Sequence, residues 1–179
     1  MNYLTDNKCI MKSITRKNQG FTLIEILVVI GIIAVLAAIV IVAINPAKQF
    51  AQARNTQRTS DVSTILNAIG QRIADNKGVF DGDFTIGTIT YVCPTLTAAT
   101  TYSIASSTGA GIIDLSCLVP TYIPSQIPVD PNGGSWTSAS DYDTKYTVTV
   151  DSTGRYTVAA PNAANETSLP SPAAISLTR

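Results

Sequence analysis

A basic side chain, a glycine, a phenylalanine and a carboxylate fall close together in Lys17-Asn18-Gln19-Gly20-Phe21-Thr22-Leu23-Ile24-Glu25. Cutting the chain after Gly20 would free an α-amino group on Phe21. Glu25 follows about one helical turn later, inside an apolar run. An acid at a bilayer centre costs about 2.5–3.5 kcal/mol, and less near an interface. Glu25 can therefore stay near the headgroups of a membrane, but it needs a positive partner wherever that turn is buried. The Phe21 amine would be such a partner.

The element that positions this pair is the run itself. From Phe21 to Ile44 only Thr22, Glu25 and Gly31 are not plainly apolar. As a helix, those residues reach ~36 Å, enough to cross a hydrocarbon core of about 30 Å with some tilt. The run is too long and too apolar to be one face of a soluble helix. Lys8, Lys12, Arg16 and Lys17 precede it, against Asp6. That asymmetry predicts a cytoplasmic N-terminus and a C-terminal body on the other side of the membrane. A secretory signal is cut after its apolar region. Here the glycine stands before it, so removal of the leader would leave the helix on the mature chain.

Gly20-Phe21-Thr22-Leu23-Ile24-Glu25 resembles the prepilin cleavage and methylation motif of type IV pilins and type II secretion pseudopilins. The resemblance implies cleavage between Gly20 and Phe21 by a prepilin peptidase and N-methylation of Phe21. It further implies that Glu25 pairs with the Phe21 amine of a neighbouring subunit as a homo-oligomeric filament assembles on an inner-membrane platform. The implied fold is α+β, a pilin fold: a long N-terminal helix whose first half is membrane-spanning and whose second half packs on a small antiparallel sheet. The expected organisation is a leader at 1–20, a membrane and filament-core helix at 21–44, an amphipathic stem at 45–78 and an extracytoplasmic head at 79–179.

The rest of the chain fits that order. Asn45-Pro46 marks a kink or exit point, because proline lacks an N–H and clashes with the preceding turn. Val62, Ile65, Leu66, Ile69 and Ile73 repeat at helical spacing and give one apolar face. Arg54, Arg58 and Asp61 read as a solvated face of that helix; the sharper alternative is contact with anionic headgroups or with acidic heads of neighbouring subunits. Asn76-Lys77-Gly78 reads as its stop. Phe84–Val92 and Thr100–Ala105 read as strands, and Ile112–Val119 as a short helix or a strand. Leu118–Gly134, rich in proline and glycine, reads as an ordered extended connection, and Ile127-Pro128-Val129-Asp130-Pro131 resembles the lead into the sheet of pseudopilin-like proteins. Lys145–Asp151 and Arg155–Ala160 alternate as a hairpin with a tight turn. Pro161–Pro172 reads as a polar loop and Ala174–Thr178 as a last strand.

Net charge is zero, but the stem is basic and the head acidic, which argues against the head as a nucleic-acid surface. Cys9 lies in the leader. Cys93 and Cys117 lie in the expected extracytoplasmic body, where disulfides persist; a bridge would stabilise by about 3 kcal/mol through its loop of about 25 residues, and two free buried thiols are the alternative. Asp130, Asp141 and Asp143 are candidate calcium ligands at irregular loop spacing, a reading to which a comparable loop in some secretion pseudopilins lends support; solvated loop acids are the default, and no other cofactor is expected. Histidine is absent, and no phosphate loop or nucleophile elbow occurs, so no enzyme is expected. The expected function is a pilus-like filament subunit. A secretion pseudopilin, a DNA-uptake minor pilin and a non-polymerising membrane-tethered binding domain are the alternatives.

Overall fold

Two helices meet at one asparagine. The computed structural model describes residues 20–107 and 109–179. The leader expected at 1–20, apart from Gly20, and Cys9 within it lie outside the described residues. Helix α1 runs Leu23–Ile44 and helix α2 runs Pro46–Asp75. Between them Asn45 takes a left-handed conformation, with φ 44°, which an α-helix of L-residues does not tolerate as a run. Asn45 also starts α2, its Oδ1 accepting the Lys48 N–H at 3.3 Å. Pro46 takes the first helical position, where its missing N–H leaves nothing unsatisfied. The expected break is thus both a stop and a start.

The chain divides into two units, one ending at Ile44 and one spanning Asn45–Arg179. No residue of α1 is buried. In the second unit α2 buries Val62, Ile65, Leu66 and Ile69, the face predicted from their spacing. It ends as read: the Gly78 N–H donates to the Ile73 carbonyl at 2.8 Å, with Gly78 itself at φ 98°, where glycine is free of strain.

Strands β1 (Gly82–Ile86) and β2 (Ile89–Cys93) form a separate antiparallel hairpin. Phe84–Val92 was expected as one strand; Gly87, at φ 62°, reverses the chain in its middle and pairs Ile86 with Ile89. The main sheet has the order β4-β3-β6-β7-β8, from β3 (Thr101–Ala105), β4 (Ile112–Ile113), β6 (Asp141–Val150), β7 (Tyr156–Ala160) and β8 (Ile175–Thr178). Strand β5 (Ser135–Ser138) also pairs with β6. All pairings are antiparallel except the short β3–β4 contact. Ile112–Val119 is neither helix nor strand throughout: two residues pair in β4 and Ser116–Leu118 make a 3-10 turn.

Alternation along β6 sends Tyr142, Thr144, Tyr146, Val148 and Val150 inward. Of these, Tyr142, Tyr146 and Val148 join Val158 and Ala160 of β7 and the apolar face of α2 in one core. Cys93 at the end of β2 is disulfide-bonded to Cys117 in the 3-10 turn, with 5.3 Å between the Cα atoms, and both are buried. The predicted polar loop after β7 is more than that: it opens with a 3-10 turn, Pro161–Asn165, and buries Ala163 and Glu166. The architecture is α+β, with an apolar N-terminal helix and a second helix packed on antiparallel sheet, consistent with the expected pilin fold.

Candidate functional site

Gly20, Phe21 and Thr22 precede α1 without regular secondary structure. A Cβ on Gly20 would meet nothing within 4 Å, and Phe21 is 79% exposed. The peptide bond between them is open to a protease and outside any helical hydrogen-bond ladder. Thr22 then starts the helix. The Glu25 N–H donates to Thr22 Oγ1 at 3.2 Å and to the Thr22 carbonyl at 3.1 Å. Thr-x-x-Glu is the sequence pattern of a capping box, of which the Thr22 half is formed, and Glu25 lies in the first turn. There the positive end of the helix dipole favours a carboxylate. Beyond Glu25, Leu27, Ile30, Val35, Ile39 and Val42 are all exposed around the helix. By length and composition α1 can cross a membrane.

A second cluster lies in the Asn45–Arg179 unit. Arg58 is fully buried and Asp130 is 1% exposed. The Arg58 guanidinium donates from Nε to Asp130 Oδ2 at 2.8 Å and from Nη2 to Oδ1 at 3.0 Å, a two-pronged pair. Its Nη1 donates to Glu166 Oε1 at 2.6 Å and to Asn55 Oδ1 at 2.8 Å. Arg54 closes the far side of Glu166, with its Nε 2.8 Å from Oε1 and its Nη2 on Oε2. The Arg54 guanidinium first, and Arg58 after it, outweigh burial and hold the Glu166 carboxyl down at about 2. The same carboxylates push the Arg58 guanidinium up. Beside the cluster, the Tyr146 hydroxyl donates to Asp61 Oδ2 at 2.8 Å. Burial, then Asp61, raise the Tyr146 phenol, so it stays the donor.

The chain folds locally to present Asp130. The Asn132 N–H donates to Asp130 Oδ1 at 2.8 Å and the Gly134 N–H to the Asp130 carbonyl at 3.0 Å. This turn closes so tightly that a Cβ on Gly134 would stand 2.6 Å from the Asp130 nitrogen, which leaves room only for glycine. Among the described residues no buried side-chain polar atom lacks a partner. The arrangement clasps three segments: the stem, the proline-rich connection through Asp130 and the tail through Glu166.

Two readings of the sequence change here. Arg58 was expected on a solvated or intermolecular face; it points into its own head. Asp130 was expected as a solvated loop acid or a calcium ligand; its carboxylate is occupied by Arg58 and the Asn132 N–H. Asp141 opens β6 exposed to solvent, and Asp143 pairs with Lys145. Among the described residues no three His, Cys, Asp or Glu side chains are gathered so as to hold a metal ion. The clasp was missed, although one signal was present. Ala51, Arg58, Ile65 and Arg72 recur every seven residues and so share one buried face of α2. Arg72 on that face donates to the Phe80 and Gly82 carbonyls at 3.2 and 2.9 Å and lies 4.6 Å over the Phe84 ring.

An exposed Gly20–Phe21 junction, a carboxylate in the first helical turn and a bare apolar helix are together consistent with a membrane-anchored protein. Residues 15–41 match the model of the prokaryotic N-terminal methylation motif. That is the prepilin-type motif of type IV pilins and pseudopilins, and it points to a structural protein of that kind. No curated protein and no solved structure matches the chain.

Proposed function

We propose that this chain is the precursor of a pilus-like filament subunit, anchored by α1, cut between Gly20 and Phe21, N-methylated at Phe21 and polymerised through α1. One observation carries the reading: the methylation motif runs straight into a helix with no buried residue, while the Asn45–Arg179 unit holds a core of its own. The cover for α1 must come from outside that core, first from lipid and then from other copies of α1. Lipid is as apolar as a filament core, so moving α1 from one to the other gains little hydrophobic energy. Register must come from packing and from a specific polar pair. Glu25, held in the first turn, would meet the Phe21 amine of a neighbour, since an unpaired buried carboxylate is costly. The leader would face the cytoplasm and the head the outside. The partners are a prepilin peptidase and methyltransferase, the inner-membrane assembly platform, the bilayer and further copies of the chain.

The test is to image surface filaments and identify their main protein in cells carrying wild type or Glu25→Ala. Wild-type cells should show filaments built of this chain. The variant should be processed normally and assemble poorly. Wild-type filament yield from Glu25→Ala would count decisively against the pairing. A processed chain found only in the membrane would favour the non-polymerising tethered domain.

A further inference from the structure

A cleft of about 530 Å³ opens in the Asn45–Arg179 unit beside the second half of α2. Its apolar wall is Leu66, Ile69 and Ile73 of α2, with Leu96 from the loop after β2. Asp81, Tyr156 and Arg179 share the lining with the Thr95 hydroxyl. The backbone fixes two of them together: the Tyr156 N–H donates to the Arg179 carbonyl and the Arg179 N–H to the Tyr156 carbonyl, both at 2.9 Å. Asp81 lies close enough to act on the Tyr156 phenol, which burial first and then this carboxylate push up.

Each of the three keeps hydrogen-bonding capacity that the fold does not use. Asp81 Oδ2 accepts from the Thr95 hydroxyl at 2.8 Å; among the described residues nothing donates to Oδ1. One guanidinium nitrogen of Arg179 donates to Asn67 Oδ1 at 2.6 Å, and among the described residues the others donate to nothing. The Tyr156 hydroxyl likewise has no partner among the described residues. Asp81 and Tyr156 are half-buried and Arg179 is exposed, so this capacity is open to a ligand that enters the cleft. An apolar hollow of this size with a few convergent polar groups has the make-up of a small-molecule site. The lining offers a negative charge and a positive charge beside an apolar wall.

We propose that this cleft binds a small zwitterionic molecule with an apolar body, the size of an apolar amino acid or dipeptide. The body lies on Leu66, Ile69, Ile73 and Leu96. The ammonium meets Asp81 and the carboxylate meets the Arg179 guanidinium, whose planar fork suits it. Tyr156 supplies a further donor between them.

Calorimetry on the full-length chain in lipid nanodiscs tests this with three probes: L-phenylalanine, 2-phenylethylamine, which lacks the carboxylate, and 3-phenylpropanoate, which lacks the amine. L-Phenylalanine should bind saturably, and each single-charge probe ~10-fold more weakly, the scale of one charge-assisted hydrogen bond. Asp81→Asn should weaken L-phenylalanine by a similar factor and leave 3-phenylpropanoate unchanged. Arg179→Gln should weaken L-phenylalanine and leave 2-phenylethylamine unchanged. In each variant the unchanged probe reports that the cleft is still folded. No saturable binding of L-phenylalanine, equal affinity for all three probes, or wild-type affinity in both variants would overturn the proposal.

Discussion

Arg58 is the residue on which the head closes. It sits without solvent exposure between Asp130 and Glu166, which are 72 and 108 residues further along the chain. These three charges are taken from water, and they are held because each meets an opposite charge and no buried side-chain polar atom among the described residues lacks a partner. Arg58→Met would leave Asp130 buried and unpaired, and the expected loss is ~3–5 kcal/mol, or ~10–20 °C in the melting temperature of a head of this size. Thermal unfolding followed by circular dichroism measures it. Glu166 adds a pH dependence whose sign follows from its depressed carboxyl. The folded state binds the proton less readily than the unfolded one, so its stabilisation is complete above the ordinary carboxylate range. It is lost as pH falls through about 2. The melting-temperature gap between wild type and Glu166→Gln should therefore be full at neutral pH and shrink below about pH 4.5. A gap that stayed constant down to pH 2 would show that Arg54 and Arg58 do not hold this carboxylate ionised. None of this could be read from spacing, because ion pairs across such separations depend on where the tail returns. The seven-residue recurrence of Ala51, Arg58, Ile65 and Arg72 was legible, and it says only that two arginines face the core.

At the scale of elements, legibility followed the strength of the local pattern. The apolar helix, the Val62–Ile69 face of α2 and the β6–β7 hairpin were readable because an unbroken run or a clean alternation allows one solution. The turn at Gly87 was hidden inside a loose alternation. The segment from Ile112 to Val119 stayed undecided because its pairing is short and its shape is set by neighbours, among them the Leu115 N–H that donates to the Tyr142 hydroxyl at 2.8 Å. The Cys93–Cys117 bond spans this hard-to-read region, with a sequence separation of 24. It closes around β3 and β4 and ties the separate β1–β2 hairpin to the core. Replacing both cysteines by serine should cost ~3 kcal/mol by loop entropy alone, read as a lower urea midpoint. The loss should appear equally in wild type reduced before the titration. An unchanged midpoint in both would remove the staple from the account of head stability.

At the scale of the whole molecule the two units divide the work. The Asn45–Arg179 unit is finished: its core is packed and its buried polar groups are paired. The N-terminal helix is not, since every side chain from Leu23 to Ile44 is open, and the chain offers it the methylation motif in place of a core. On the proposed reading processing changes the charge at the head of that helix, from a basic leader to a single methylated amine facing the Glu25 of another copy. The central claim is therefore chemical and local, and mass spectrometry of the N-terminal peptide from the native protein tests it most directly. The account predicts a mature chain that begins at Phe21 and carries one methyl group on its α-amine. A chain that begins at Met1, with Gly20 and Phe21 still joined, would contradict it.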